Sequence, residues 1–189
     1  VFCTHEHEQL ALARNFEKLK KLKTCFVLQP PPVTFICRDK LKTYKFLSKA
    51  GLRVPDTAAN QKEIDNLILK FGFPLVVKSR FGSGSRNFHV AKNKEELKIF
   101  LRDTPHPIVQ EYIASRPEEE YTVGIFLDEK SSVKGAITML RQLRFGLTFH
   151  AIVDDYPDVT ELAKQTAESL HAIGLCNVQL RRDRNNLPC

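Results

Sequence analysis

Between Asn60 and Leu101 the chain spells helix, strand, loop, strand, helix, an order that excludes both an all-helical bundle and a strict alternation of single strands and helices. Asn60 with Glu63, and Asn93 with Glu96, each set a capping amide three residues ahead of a glutamate, the pattern of a capping box. Behind the first box Ile64, Leu67, Ile68 and Phe71 recur at the spacing of one helix face, and behind the second Leu97, Phe100 and Leu101 do the same. Gly72 ends the first helix and Pro74 opens a strand, Leu75-Val76-Val77-Lys78. The loop Arg80–Asn87 then leads to a second strand, Phe88–Lys92. Strands joined this way pair like a hairpin, so the fold class is α+β.

The rest of the chain repeats that grammar. Strands are expected at Ile108–Ile113, Tyr121–Leu127 and Val133–Thr138, with Met139–Val153 also extended. A helix over Asp158–Ile173 turns Leu162, Thr166, Leu170 and Ile173 inward and takes Gly174 as its cap. A last strand, Asn177–Leu180, enters a turn at Asp183–Asn186. At the other end a helix from Glu6 to Lys23, with Thr4 as its cap, sets Leu12, Phe16, Leu19 and Leu22 toward a core. Gln29-Pro30-Pro31-Pro32 is expected to be a boundary that excludes helix and strand ladder alike. Arg38–Ala50 forms the next helix, with Leu41, Tyr44 and Leu47 inward and Gly51 as its left-handed cap.

Composition narrows the function classes. The chain is 189 residues long, 42% apolar and 27% charged, which suits a soluble protein with a real core. It holds neither a membrane-length apolar run nor a secretory signal, and it opens on Val1 rather than Met. The five cysteines are scattered, without a CxxC pair, as expected of reduced thiols in the cytoplasm. His5-Glu6-His7-Glu8 lacks the spacing of HExxH. The formal charge of +7 calls for an anionic partner. The run from Lys18 to Lys23 reads as a solvated helix face, and Arg181-Arg182-Asp183-Arg184 is broken by acid. With no zinc-finger spacing or stacking aromatics beside them, these patches do not call for nucleic acid.

The chemistry gathers around the first strand pair. Gly82-Ser83-Gly84-Ser85-Arg86 offers free amides, two hydroxyls and a guanidinium, and such a loop can wrap phosphates. An ordinary Gly/Ser turn between strands has the same composition. It is not a Walker A loop, and it differs from the kinase arrangement because the nearby lysine precedes it. That lysine, Lys78, ends an apolar strand four residues before Gly82, where a buried ammonium is costly unless it meets an anion. A strand end that lets Lys78 reach water is the alternative. Farther on, Ile108-Val109-Gln110-Glu111-Tyr112-Ile113 runs into the acidic hinge Arg116-Pro117-Glu118-Glu119-Glu120, where backbone groups can meet a planar base.

The ordered series Arg38-Asp39-Lys40, Gly51-Leu52-Arg53-Val54-Pro55, Gly72-Phe73-Pro74-Leu75-Val76-Val77-Lys78, the Gly/Ser loop, Val109-Gln110-Glu111-Tyr112-Ile113, Glu120-Tyr121-Thr122-Val123 and Gly174 through Asn177-Val178-Gln179 resembles the ATP-grasp superfamily, in its carbamoyl-phosphate-synthase large-chain-like branch. It covers essentially Cys37 to Cys189. The resemblance implies an ATP-grasp fold, two α+β lobes clamping a nucleotide, over residues 37–189, with a small lobe at about 54–113 and a large one at about 114–189. Residues 1–36 would be the tail of a Rossmann-like pre-ATP-grasp domain and a linker.

It further implies ATP and Mg²⁺ as cofactors and a small carboxylate-type substrate, phosphorylated to an acyl phosphate that an amine-type nucleophile attacks. Lys40 and Lys78 would contact ATP phosphates, and Ser83, Gly84, Ser85 and Arg86 would close over them. The segment Gln110, Glu111, Tyr112 and Ile113 would present backbone groups to adenine, and Glu120 would hold the ribose hydroxyls. Gln179 would face magnesium, and Arg141 or Arg144 would stabilise the acyl phosphate. Two departures stand out. Asn87 replaces a loop glycine, and the family's Glu-x-Asn-Pro-Arg metal segment would follow Leu187-Pro188-Cys189. The expectation is a fragment that binds nucleotide weakly and does not turn over alone. A non-catalytic nucleotide-binding module of the same fold is the second expectation.

Overall fold

The structure, a computed structural model, describes residues 1–3, 5–82, 87–113, 120–144 and 147–189. Helices α1 (Glu6–Arg14), α2 (Phe16–Leu19), α3 (Pro31–Cys37) and α4 (Lys40–Lys49) precede strand β1 (Thr57–Ala58) and helix α5 (Gln61–Phe71). Then come β2 (Leu75–Ser79), β3 (Phe88–Ala91), α6 (Lys94–Asp103) and β4 (Pro107–Glu111). The second half holds β5 (Glu120–Leu127), β6 (Val133–Arg144), β7 (Leu147–Val153), α7 (Pro157–Ser169) and β8 (Gly174–Arg181).

The strands make two four-stranded sheets, ordered β1-β4-β2-β3 and β7-β6-β5-β8, and every pairing is antiparallel. Both capping boxes form. Asn60 Oδ1 accepts from the Glu63 amide at 3.0 Å and Asn93 Oδ1 from the Glu96 amide at 2.9 Å, while each glutamate reaches back to the amide one residue ahead of the cap. With α5 and α6 started there, Ile64, Leu67 and Leu97 close over Leu75, Val77 and Val109 of the first sheet. Alternation along β2 therefore turns Val76 and Lys78 to the opposite face. In the second sheet Tyr121, Val123, Ile125 and Leu127 pack with Leu180 against Val159, Ala163 and Ala167 of α7, and Val33 of α3 and Leu47 of α4 join that core. Glu120, Thr122 and Gly124 then face away from α7, beside Arg141, Met139 and Ile137 of β6 and Arg181, Gln179 and Asn177 of β8.

Several expected elements change. The opening helix is broken at Asn15, whose backbone leaves the helical region while its side chain bonds Ala11 O at 2.9 Å; Leu22 lies 54% exposed instead of facing a core. His5 caps α1 through its ring nitrogen, and Thr4 lies outside the described residues. The three prolines do not exclude a helix. Pro31 and Pro32 occupy the first turn of α3, where no intrahelical N–H is needed. Helix α7 ends at Ser169, four residues early, because His171 takes the left-handed backbone (φ 54°) expected of Gly174, which instead opens β8. Gly51 does adopt the left-handed cap, at φ 75°. Asn87 lies at φ 54°, a left-handed backbone that asparagine tolerates better than most residues. The acidic hinge at 116–119 and the loop residues Ser83 to Arg86 lie outside the described residues.

Candidate functional site

The faces that the two sheets turn away from their helices carry Lys78 of β2, Arg141 of β6 and Arg181 of β8. Lys78, on β2, is half-buried and directs its ammonium to Gln110 Oε1 on β4 at 2.6 Å. Burial, with the like charges of Lys40 and Arg181 nearby, pulls its pKa down to about 8. That coupling brings together three elements distant in sequence: the start of α4, the end of β2 and the end of β8. Lys40 opens α4. Its ammonium donates to Gly82 O at 2.6 Å and its amide to Arg80 O at 3.2 Å, so the lysine holds the root of the Gly/Ser loop. Burial lowers its pKa, against the opposing pull of Glu6 and Asp39.

A device that sequence reasoning missed locks this corner. Asp39 is buried, caps α4 by accepting from the amides of Leu41 and Lys42, and takes a two-pronged ion pair from Arg80, at 2.7 and 2.6 Å. Burial alone would raise its pKa, but Arg80 and the two amides outweigh it and hold the carboxyl below the usual range. The pair spans 41 residues of sequence, which no local pattern reveals. Asp39→Asn should destabilise the protein by about 2 kcal/mol in urea unfolding at pH 7, since Arg80 loses its partner. A carboxyl with a lowered folded pKa stabilises above its unfolded value of about 3.9 and ceases to as pH falls through the folded value. The gap between wild type and variant should therefore close in acid.

Glu120, assigned to the ribose, is buried between two guanidinium groups: one oxygen pairs with Arg141 and the other accepts from Arg181 at 2.6 Å. Arg141 also donates to Thr148 Oγ1 at 3.3 Å, and its buried Nε has no hydrogen-bond partner among the described residues. Arg144 is exposed at the end of β6, stacked over the Phe149 ring at 5.4 Å. Gln179 is exposed on the open face of β8, opposite Thr122, whose hydroxyl donates to Asn177 Oδ1 at 2.5 Å.

The segment assigned to adenine is partly occupied. The Glu111 amide already donates to Asp56 O at 2.8 Å and its carboxylate accepts from the Asp56 amide at 3.2 Å. Only its carbonyl, with Tyr112 and the buried Ile113, remains to meet a base. Gln110 turns its side chain to Lys78 and to Thr57 Oγ1, the latter at 2.8 Å. Ser83, Gly84, Ser85 and Arg86 lie outside the described residues. From sequence Arg181 reads only as the start of a basic run broken by acid. Counting two residues on from Gln179 places it on the same face, and that is the signal that finds it.

The surroundings of Lys78 fit an anion, because the lysine is half-buried with a neutral hydrogen-bond partner and the cations Lys40 and Arg181 are near enough to lower its pKa. They do not by themselves fit a divalent cation. Gln179 offers one carbonyl oxygen, both Glu120 oxygens are on arginines, and among the described residues no group of three or more His, Cys, Asp or Glu is placed to hold a metal ion.

The ATP-grasp domain family matches residues 37–180. N5-carboxyaminoimidazole ribonucleotide synthase of Staphylococcus aureus is 26% identical over 164 residues, covering 80% of this chain and 42% of the relative. The carbamoyl phosphate synthase large chain of Pyrococcus furiosus is 26% identical over 167 residues, 78% of this chain and 16% of the relative. Among solved structures, the Staphylococcus aureus N5-carboxyaminoimidazole synthetase complexed with ADP matches with a TM-score of 0.74 at 19% identity, over 93% of this chain and 48% of that one. The biotin carboxylase domain of Hydrogenobacter thermophilus 2-oxoglutarate carboxylase, in complex with MgADP, ADP and bicarbonate, gives 0.76 at 17% identity, over 97% and 44%. The chain thus spans less than half the length of each of these proteins. At such identities the structural likeness speaks for the fold, two α+β units each built on an antiparallel sheet. The sequence match spans both sheets, and by it the chain belongs to the ATP-grasp family.

Proposed function

We propose that this chain is the nucleotide-binding part of an ATP-dependent ligase that activates a carboxylate or carbamate as an acyl phosphate. The observation that carries the reading is Lys78, half-buried on β2 and held by the neutral amide of Gln110, with the cations Lys40 and Arg181 near enough to lower its pKa. On this reading residues 54–113 and 114–189 are the two lobes, and residues 1–36 belong to a preceding domain. Lys40 and Lys78 bind the phosphates, and Ser83, Gly84, Ser85 and Arg86 close over them. Adenine lies against the Glu111 carbonyl and the backbone of Tyr112 and Ile113, with the ribose at Glu120. Arg141 faces the acceptor, and Arg144 is kept as a weaker second.

The chemistry asks for charge neutralisation and in-line placement more than for a protein nucleophile. A carboxylate oxygen attacks the γ-phosphorus, the bond to the β-phosphate oxygen breaks and ADP leaves. An amine then attacks the acyl carbon and releases phosphate. The lysines offset the charge that gathers on the transferring group. Magnesium use is a family expectation in which Gln179 supplies one oxygen, and no step here is routed through the metal.

Titration calorimetry with ATP, followed by incubation with carboxylates and hydroxylamine, tests the reading. Saturable one-to-one binding is expected, and an ATP-dependent hydroxamate only where carboxylates other than those of the described residues complete the metal site. Absence of ATP binding at millimolar concentration would contradict it. A second reading, a nucleotide-binding module without turnover, is favoured by the engagement of both Glu120 oxygens by arginines, and it predicts binding without hydroxamate.

A further inference from the structure

A one-way chain of hydrogen bonds runs through the first sheet to Lys78. The ammonium can only donate, so the Gln110 atom facing it at 2.6 Å is the carbonyl oxygen. The amide nitrogen of Gln110 is thereby turned to Thr57, where the hydroxyl accepts at 2.8 Å. With its acceptor role taken, that hydroxyl sends its own proton to Pro55 O at 3.0 Å. Thr57 is buried, on the two-residue strand β1, and is paired directly with Gln110. The chain thus starts at the backbone of the linker before the first sheet and ends on the lysine, with every link fixed in direction.

We infer that Thr57 and Gln110 are positioning residues for Lys78: Thr57 fixes the orientation of the Gln110 amide, and the amide oxygen holds the ammonium toward the cleft without neutralising it. This deepens the proposed function and rests on it for the identity of the anion that Lys78 awaits. The choice of an amide matters. A carboxylate at 110 would satisfy the lysine and compete with phosphate, whereas an aliphatic side chain would leave the ammonium without an acceptor. The charged groups that face Lys78 are Lys40 from α4 and Arg181 from β8, both cations, so Gln110 supplies a stabilising dipole among like charges. Gln110, assigned from sequence to the nucleotide itself, acts through Lys78 instead.

The test follows Lys78 directly. The full chain is acetylated over a range of pH with an amine-directed N-hydroxysuccinimide ester, and modification of the Lys78 peptide is followed by mass spectrometry. The wild-type midpoint is expected near 8. Gln110→Glu should raise it by about one pH unit or more, because an opposite charge favours the ammonium. Thr57→Val should lower it, since the untethered amide no longer offers its oxygen, and Thr57→Ser should restore the wild-type midpoint. One midpoint shared by all four proteins would overturn the inference. ADP affinity of the same proteins and of Lys78→Met, by calorimetry at pH 7, separates the two claims. Shifted midpoints with an affinity indifferent to Lys78→Met would uphold the hydrogen-bond chain and remove the nucleotide. Unshifted midpoints with binding lost in Lys78→Met would do the reverse.

Discussion

Lys78→Met should make the protein more stable and at the same time cost it most of its affinity for ATP. The lysine is held at a pKa of about 8 by burial and by the cations Lys40 and Arg181, against about 10.4 in an unfolded chain. A group with a depressed basic pKa destabilises fully below the folded value, where it must be charged in both states. The cost fades as pH rises from the folded toward the unfolded value. At pH 7 the penalty is therefore present in full, on the order of 1–3 kcal/mol once partial exposure is allowed for. Methionine fills similar space without the charge, so urea unfolding should show a gain of that order at pH 7 that shrinks toward pH 10. Removing one desolvated phosphate contact should weaken ATP binding by about 10- to 100-fold. A variant less stable than wild type would mean that Lys78 is a structural residue.

Glu120→Ala should be among the most damaging single changes in the chain. The carboxylate is buried and joins Arg141 and Arg181, and without it the buried guanidinium of Arg141 loses its carboxylate partner. Breaking a buried pair by removing one partner costs about 3–5 kcal/mol. For a chain of this size the lower end corresponds to a fall in melting temperature of about 10 °C. The double variant Glu120→Ala/Arg141→Met should recover much of the loss, because the stranded cation goes with its partner. Calorimetric melting of the three proteins checks this, and a Glu120→Ala loss below about 1 kcal/mol would mean that the network is solvated. The same geometry bears on ligand binding. A ribose that engages Glu120 must share it with two arginines, and the buried Nε of Arg141 lacks a partner among the described residues.

What the sequence disclosed follows the range of the interactions. Capping boxes are contacts over three residues, so Asn60 with Glu63 and Asn93 with Glu96 announced α5 and α6, and the apolar run before Lys78 announced β2. Strand β1 is two residues long and exists only because β4 lies beside it, so no periodicity could reveal it. The prolines of α3 misled because the first helical turn makes no use of the N–H they lack. At the site, Lys40 and Lys78 were legible as cations beside a glycine-rich loop. Asp39 with Arg80 and Thr57 with Gln110 were not, since each pair is made by tertiary pairing of segments 41 and 53 residues apart. Arg144, named with Arg141 for its place on the later strands, lies at an exposed strand end.

The central claim, that a nucleotide lies between the two sheets against Lys40, Lys78 and Arg181, is tested most directly by amide hydrogen exchange with and without saturating ATP. The account predicts added protection confined to residues 38–41, 76–87, 108–113, 120–122 and 179–181, and weaker protection in Lys78→Met at the same ATP concentration. Protection centred on α1, α5 or α7, or an exchange pattern that ATP leaves unchanged, would contradict it.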